Sequence, residues 1–378
     1  MVNDIRIQLV ILMYLLGCFS LMIYNVIVVY RKKNSEKAMQ NNINKWIRII
    51  QQQLPFNIGI LILNYKHEKH LLKSLVRVEN LIAFSNALNY FKLEHRTYIF
   101  DEYMGMLTQS KIFSTLAVAY KEKKNEERAY FAYFISQYPQ LAINTEGICT
   151  DMINVMISYI DDSDIYCRAN VLKALCRVGD THGIINVLQS FSDKSNFIHH
   201  RLLAEELSNF TGDKEVLALY LWGKYKMWND NVMLGVITFI TIFSDGFKNA
   251  FLPVLQNKST DADIRLAIIR YYKEYNFDLA QPVLIEYLNQ TENYDFAVEA
   301  ASALSAYPGY NTTNALISAL QSDDWHVQYS AASSLVALGE YSEDFINDLT
   351  NGNALQIAQY MLEHTNDEKD MNVREVII

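Results

Sequence analysis

A chain of 378 residues with 51% hydrophobic and 20% charged side chains can fill a large core, which excludes a globally disordered polypeptide. Its 5 Pro and 13 Gly are too few to punctuate a loop-rich or all-β chain, so the fold class is all-α. The net charge of −9 is unevenly divided: residues 1–149 hold 18 Lys and Arg against 11 Asp and Glu, and residues 150–378 hold 15 against 31, an acidic surplus that repels nucleic acid and excludes it as a partner.

The first element is an uncharged run over residues 7–30, "IQLVILMYLLGCFSLMIYNVIVVY", whose length suits a transmembrane helix. Arg31, Lys32 and Lys33 follow it, while the six leading residues are balanced by Asp4 and Arg6; the positive-inside rule then places the C-terminal body in the cytoplasm. The same basic residues are expected at the membrane interface, facing anionic lipid. The run lacks the basic start and small-residue end of a cleaved leader. The stretch "LLGC" ending at Cys18 resembles the lipobox of bacterial lipoproteins, which would put the body outside the cell, but the apolar run continues for about twelve residues beyond it.

Residues 31–54 place Met39, Ile43, Trp46, Ile47, Ile50 and Leu54 at helical spacing beside Lys45 and Arg48. They form a basic amphipathic helix stopped by Pro55. It has two readings: an interfacial helix with Trp46 at headgroup level, or a helix packed on the following domain. Residues 55–160 are helical without a common period, and "KEKKNEER" at 121–128 reads as a charged turn.

From residue 161 a pattern recurs. "DIYCRANVLKALCRVG" carries Asp164, Arg168 and Gly179; "DADIRLAIIRYYKEYN" carries Asp261 and Arg265; "SDDWHVQYSAASSLVALG" carries Asp324 and Gly339. With Ile264, Phe296 and Val327 as anchors, the interval is 32 and then 31 residues. Six units tile residues 161–362, each followed by a second apolar helix, the last being "SEDFINDL", before a polar tail at 363–378. A two-helix unit of this size cannot cover its own apolar face and must stack on its neighbours.

These residues resemble the HEAT-repeat (armadillo-like) family, whose first helix opens on an Asp-x-x-Val-Arg pattern and closes on Leu-Gly. The resemblance implies a right-handed α-solenoid that binds proteins as a scaffold or adaptor. By analogy with bacterial membrane proteins of this kind, it suggests an accessory subunit of a membrane enzyme complex, such as an envelope or exopolysaccharide glycosyltransferase. Some HEAT-like proteins act on DNA bases or tetrapyrroles; the acidic charge and the anchor argue against both. Asp164 with Arg168, and Asp261 with Arg265, are spaced to pair along one helix face; Gln328 stands at the third such position.

Candidate chemistry is sparse. His67, Glu68, His70 and His95 lack the spacing of a metal site and read as a solvated helix face. Cys149, Cys167 and Cys176 form no CxxC pair and read as reduced core thiols. No phosphate loop or nucleophile elbow appears, so neither a catalytic residue nor a cofactor is expected. The densest aromatic stretch, "LYLWGKYKMW", places Tyr220, Trp222, Tyr225 and Trp228 as core or inter-repeat packing, or else as a partner-binding hot spot.

Overall fold

The computed structural model describes residues 2–53, 63–93, 97–144, 147–161, 163–192, 196–290 and 293–339, with side chains from residue 13 onward. His95, most of the apolar run at 56–62, the "SEDFINDL" segment and the tail at 363–378 lie outside them. The chain divides into two compact units, Met1–Ser190 with Asn209–Thr211, and Phe191–Ser208 with Gly212–Ile378.

The first unit begins with α1 (Val2–Gln53), one unbroken helix of 52 residues. Its apolar portion is long and uncharged enough by length and composition to cross a membrane. From Met13 to Tyr30 its large apolar side chains are exposed on every face. No break separates this run from residues 31–53, so the expected separate juxtamembrane helix is the upper part of the same rod. Pro and Gly are absent between Cys18 and Gln53, so nothing in the backbone interrupts the hydrogen-bond ladder.

The helices that follow are α2 (Tyr65–Leu75), α3 (Val78–Leu93), α4 (Thr97–Thr108), α5 (Ile112–Lys121), α6 (Asn125–Gln137), α7 (Thr150–Ile157), α8 (Ile165–Val178) and α9 (Thr181–Ser192). They stack in two rows: α1 packs on α3, α3 on α6 and α6 on α8, while α2 packs on α5 and α5 on α7. The last three turns of α1 thus serve as the first helix of the stack. Trp46, 2% exposed, meets Phe84 edge-on at 5.2 Å and lies 5.6 Å from His70. Trp46 is packed against α2 and α3, as the second of its two readings has it. A two-residue antiparallel pairing, β1 (Ile143–Asn144) with β2 (Gly147–Ile148), is the departure from all-α structure among the described residues.

The tightest packing in this unit joins α6 to α8. Since α8 is the first helix of the period, no boundary falls at residue 160, where the repeat pattern starts.

The second unit holds α10 (His200–Ser208), α11 (Lys214–Trp222), α12 (Asp230–Phe243), α13 (Lys248–Gln256), α14 (Ala262–Glu274), α15 (Gln281–Leu288), α16 (Tyr294–Leu304), α17 (Tyr310–Ala319) and α18 (Trp325–Leu338). The even helices pack in series from α10 to α18. Their starts repeat one device: Asn229, Asp261, Asn293 and Asp324 each accept a backbone N–H two or three residues on, at 2.9 to 3.0 Å. This is side-chain N-capping of donors that no preceding turn can satisfy. Asp164 does the same for α8 in the first unit, accepting from Cys167 N at 2.8 Å. Gly179 and Gly339 close α8 and α18 at φ 83° and 73°, the left-handed geometry that favours glycine.

The aspartates are therefore spent on caps, and the arginines reach elsewhere. Arg168 donates to Ser163 O at 2.5 Å. Gln328, in the same place on α18, donates to Ser322 O at 2.6 Å. Arg265 lies 4.6 Å from the centre of the Phe296 ring and 3.3 Å from Tyr287 Oη, which ties α14 to the next helix pair. The spacing that suggested an in-line Asp/Arg pair instead supports a cap followed by a strut.

A second recurrent device engages six of the 25 tyrosines. Buried tyrosine hydroxyls donate to backbone carbonyls of earlier helices or their ends: Tyr120 to Leu75, Tyr138 to Ser85 and Tyr159 to Ala117 in the first unit. In the second, Tyr272 reaches Lys248, Tyr287 reaches Leu255 and Tyr307 reaches Tyr272. At Leu75, Leu255 and Tyr272 the carbonyl lies in the last turn of a helix and lacks an intrahelical partner, so the phenol satisfies it while its ring fills the core. Ser85, Ala117 and Lys248 lie within helices and take the phenol as a further donor.

Candidate functional site

The even-numbered helices of the second unit present their outer positions to a groove enclosing about 680 Å³ across α10, α12 and α14. Its floor is apolar, with Leu234, Ile242 and Ala267; its walls carry His200 and Arg201 from α10, Thr238 and Thr241 from α12, and Asp263, Arg270 and Glu274 from α14. Asp263, Arg270 and Glu274 stand two, nine and thirteen positions after the cap residue Asp261, the spacing that puts them on one helix face.

A glycine sets the depth. A Cβ on Gly235 of α12 would lie 3.1 Å from His200 O and clash with the Leu203 side chain, so α10 and α12 cross closely there and the groove opens above the crossing. Charge is paired along the wall. Arg270 reaches Glu299 of α16 through both Nε and Nη2, at 2.9 and 2.5 Å, and Lys273 donates to Ser302 at 2.9 Å. Tyr275 donates to Thr241 O at 3.1 Å. Burial, together with the neighbouring His199 and Arg201, holds His200 below the usual imidazole range, and Asp263 opposes that shift. The arrangement offers alternating guanidinium and carboxylate groups over an apolar floor, a surface suited to gripping a polypeptide.

The aromatic stretch is divided. Trp228 is buried and its indole N–H donates to Leu221 O at 3.0 Å. Trp222 stacks on Tyr225 at 4.7 Å and meets Phe251 edge-on at 4.7 Å, so both rings pack within the helix layer. Tyr220 alone of the four is exposed, beside exposed Val216 and Leu219 on α11. Trp222 and Tyr225 are half-buried, and Tyr225 and Trp228 line a second groove of about 490 Å³ beside Asp261 and Ile264. The groove across α10, α12 and α14 was not singled out from the sequence, although outward positions on successive first helices were the signal that could have found it.

The histidine group is not a solvated face either. His67 is 6% exposed and its Nε2 lies 2.8 Å from Tyr103 Oη, while His70 turns to Trp46. Burial, helped by His70, pushes His67 down to about 4. The His199 and His200 rings lie with centres 4.2 Å apart, tilted by 31°. Among the described residues no three His, Cys, Asp or Glu side chains are placed to hold a metal ion. Cys167 and Cys176 are buried thiols on α8 outside any disulfide, and burial pushes Cys167 up to about 11, which makes it a poor nucleophile. Arg31, Lys32 and Lys33 lie exposed on α1.

Residues 281–375 match the family model of HEAT repeats. No curated protein matches the chain. The matched segment begins at the first residue of α15; that part of the chain is similar to HEAT repeats, and the helix pairs and caps before it continue the same all-helical pattern. Such repeats are typically non-catalytic scaffolds.

Proposed function

We propose that this protein is a single-pass membrane protein whose HEAT repeats, on the cytoplasmic side, bind a protein partner held at the same membrane. The partner most consistent with an anchored scaffold is a membrane enzyme that takes this chain as an accessory subunit, an envelope or exopolysaccharide glycosyltransferase being the example that analogy suggests. The observation that carries the reading is the groove across α10, α12 and α14, with apolar Leu234, Ile242 and Ala267 beside the charges of Arg201, Asp263, Arg270 and Glu274. The exposed apolar run of α1 supports the anchor, and its unbroken continuation past Cys18 counts against a lipoprotein.

The test is affinity capture of the full-length protein from detergent-solubilised native membranes, beside R201E/R270E and a chain lacking residues 1–33. Recovery of one membrane enzyme in stoichiometric amount, lost in R201E/R270E, supports the reading. Equal recovery by R201E/R270E removes the groove from it, and recovery of nothing above background removes the scaffold.

A further inference from the structure

The continuity of α1 makes it a ruler between the apolar run and the first unit. Asn42 donates to Asn80 at 2.9 Å, and Trp46 meets Phe84 at 5.2 Å; both pairs are offset by 38 residues, so α1 and α3 run in the same direction. The start of α3 therefore points back toward the apolar run. The end of α2 lies at the same level, because Asn80 also donates to Ser74 O at 2.9 Å. So does the end of α5, whose Tyr120 donates to Leu75 O at 2.8 Å.

Two turns thus face the base of α1. The α2–α3 turn is flanked by Lys73 and Arg77, and the α5–α6 turn carries Lys121, Lys123 and Lys124; four of these five are exposed and Lys123 is half-buried. The acids nearby are Glu79, Glu122 and Glu126, while Glu127 is turned inward to cap α6 through the Lys124 backbone N–H. Below the turns, Arg31, Lys32, Lys33 and Lys37 on α1 outnumber Glu36.

The heights agree with contact at a bilayer surface. Asn42 lies about 18 Å along the helix from Tyr30, and Arg77, three residues before Asn80, about 13 Å. A headgroup layer of about 5–8 Å per side leaves these cations within roughly a Debye length of about 8 Å from the surface. The run of 24 residues is longer than the hydrocarbon core, and the tilt that relieves the excess brings the turns lower on one side.

We propose that the α2–α3 and α5–α6 turns form a second membrane contact, in which Lys73, Arg77, Lys121 and Lys124 rest on anionic lipid headgroups and fix the first unit against the bilayer. This rests on the reading of α1 as a membrane span. Anionic lipid attracts each such residue, and several held on one rigid unit act together, because α1 has already brought them to the surface.

The experiment uses the full-length protein in nanodiscs of phosphatidylcholine alone and of phosphatidylcholine with phosphatidylserine. Lysines are acetylated with a water-soluble reagent and read peptide by peptide. Lys73, Lys121 and Lys124 are expected to react severalfold more slowly in the anionic discs, with the difference removed by high salt. Lys66 and Lys69, farther up α2 and exposed, keep the same rate in both. Equal rates for all five lysines in discs that retain the protein overturn the second contact and leave the span standing. Failure of the protein to co-elute with discs of either composition overturns both. K121E/K124E, which touches no core residue, is expected to stay in the discs and to return Lys73 to its neutral-disc rate.

Discussion

The two units solve one packing problem with different regularity. In the second, four caps recur at intervals of 32, 32 and 31 residues from Asn229 to Asp324, and tyrosine hydroxyls reach back 24 to 35 residues. In the first, Tyr120, Tyr138 and Tyr159 bridge 45, 53 and 42 residues, without a common interval, yet they tie helix to helix through the same phenol-to-carbonyl bond. A stacked fold tolerates loss of its sequence period as long as each layer still covers its neighbour. The first unit has an aromatic cluster centred on Phe134, against which the rings of Phe84, Phe113 and Tyr138 each pack.

That comparison can be broken most severely at Phe134, which is fully buried among those rings. Phe134→Ala is expected to cost the first unit about 3–5 kcal/mol, seen as an early unfolding step in urea with the second unit's transition unmoved. A single shifted transition would show that the two units unfold as one.

Acid separates them next. His67 must stay neutral in its pocket, since its folded pKa of about 4 lies below the ordinary 6.5. The stability this contributes is complete above pH 6.5 and disappears as the pH falls toward 4, a loss on the order of 3 kcal/mol at most. His67→Gln should flatten that slope for the first unit in thermal melts between pH 7 and 4.5. A slope that survives the substitution assigns it to other groups.

The finest comparison pairs Tyr159→Phe with Tyr287→Phe. Each removes a phenol that donates to a backbone carbonyl, of Ala117 or Leu255, for a loss of about 1 kcal/mol. Matching losses, measured by urea unfolding, establish one clamp in both units. A loss confined to the second makes the clamp a property of the repeats alone.

Much of this was legible without coordinates. The apolar run ending at Tyr30, the repeat from Asp164 onward and the acidic C-terminal body follow from local pattern and composition, because helical periodicity and helix capping act within a few residues of chain. The cap residues Asp261 and Asp324 and the closing Gly339 belong to the same short range. Only tertiary structure decided the rest. It placed Trp46 in the core, took three of the four aromatics at 220–228 into the helix layer, sent Arg265 across to Phe296 and opened the groove above Gly235. Those outcomes depend on which helix lies beside which, a matter of contacts between residues tens of positions apart; an amphipathic pattern says that a face will be covered and is silent on what covers it.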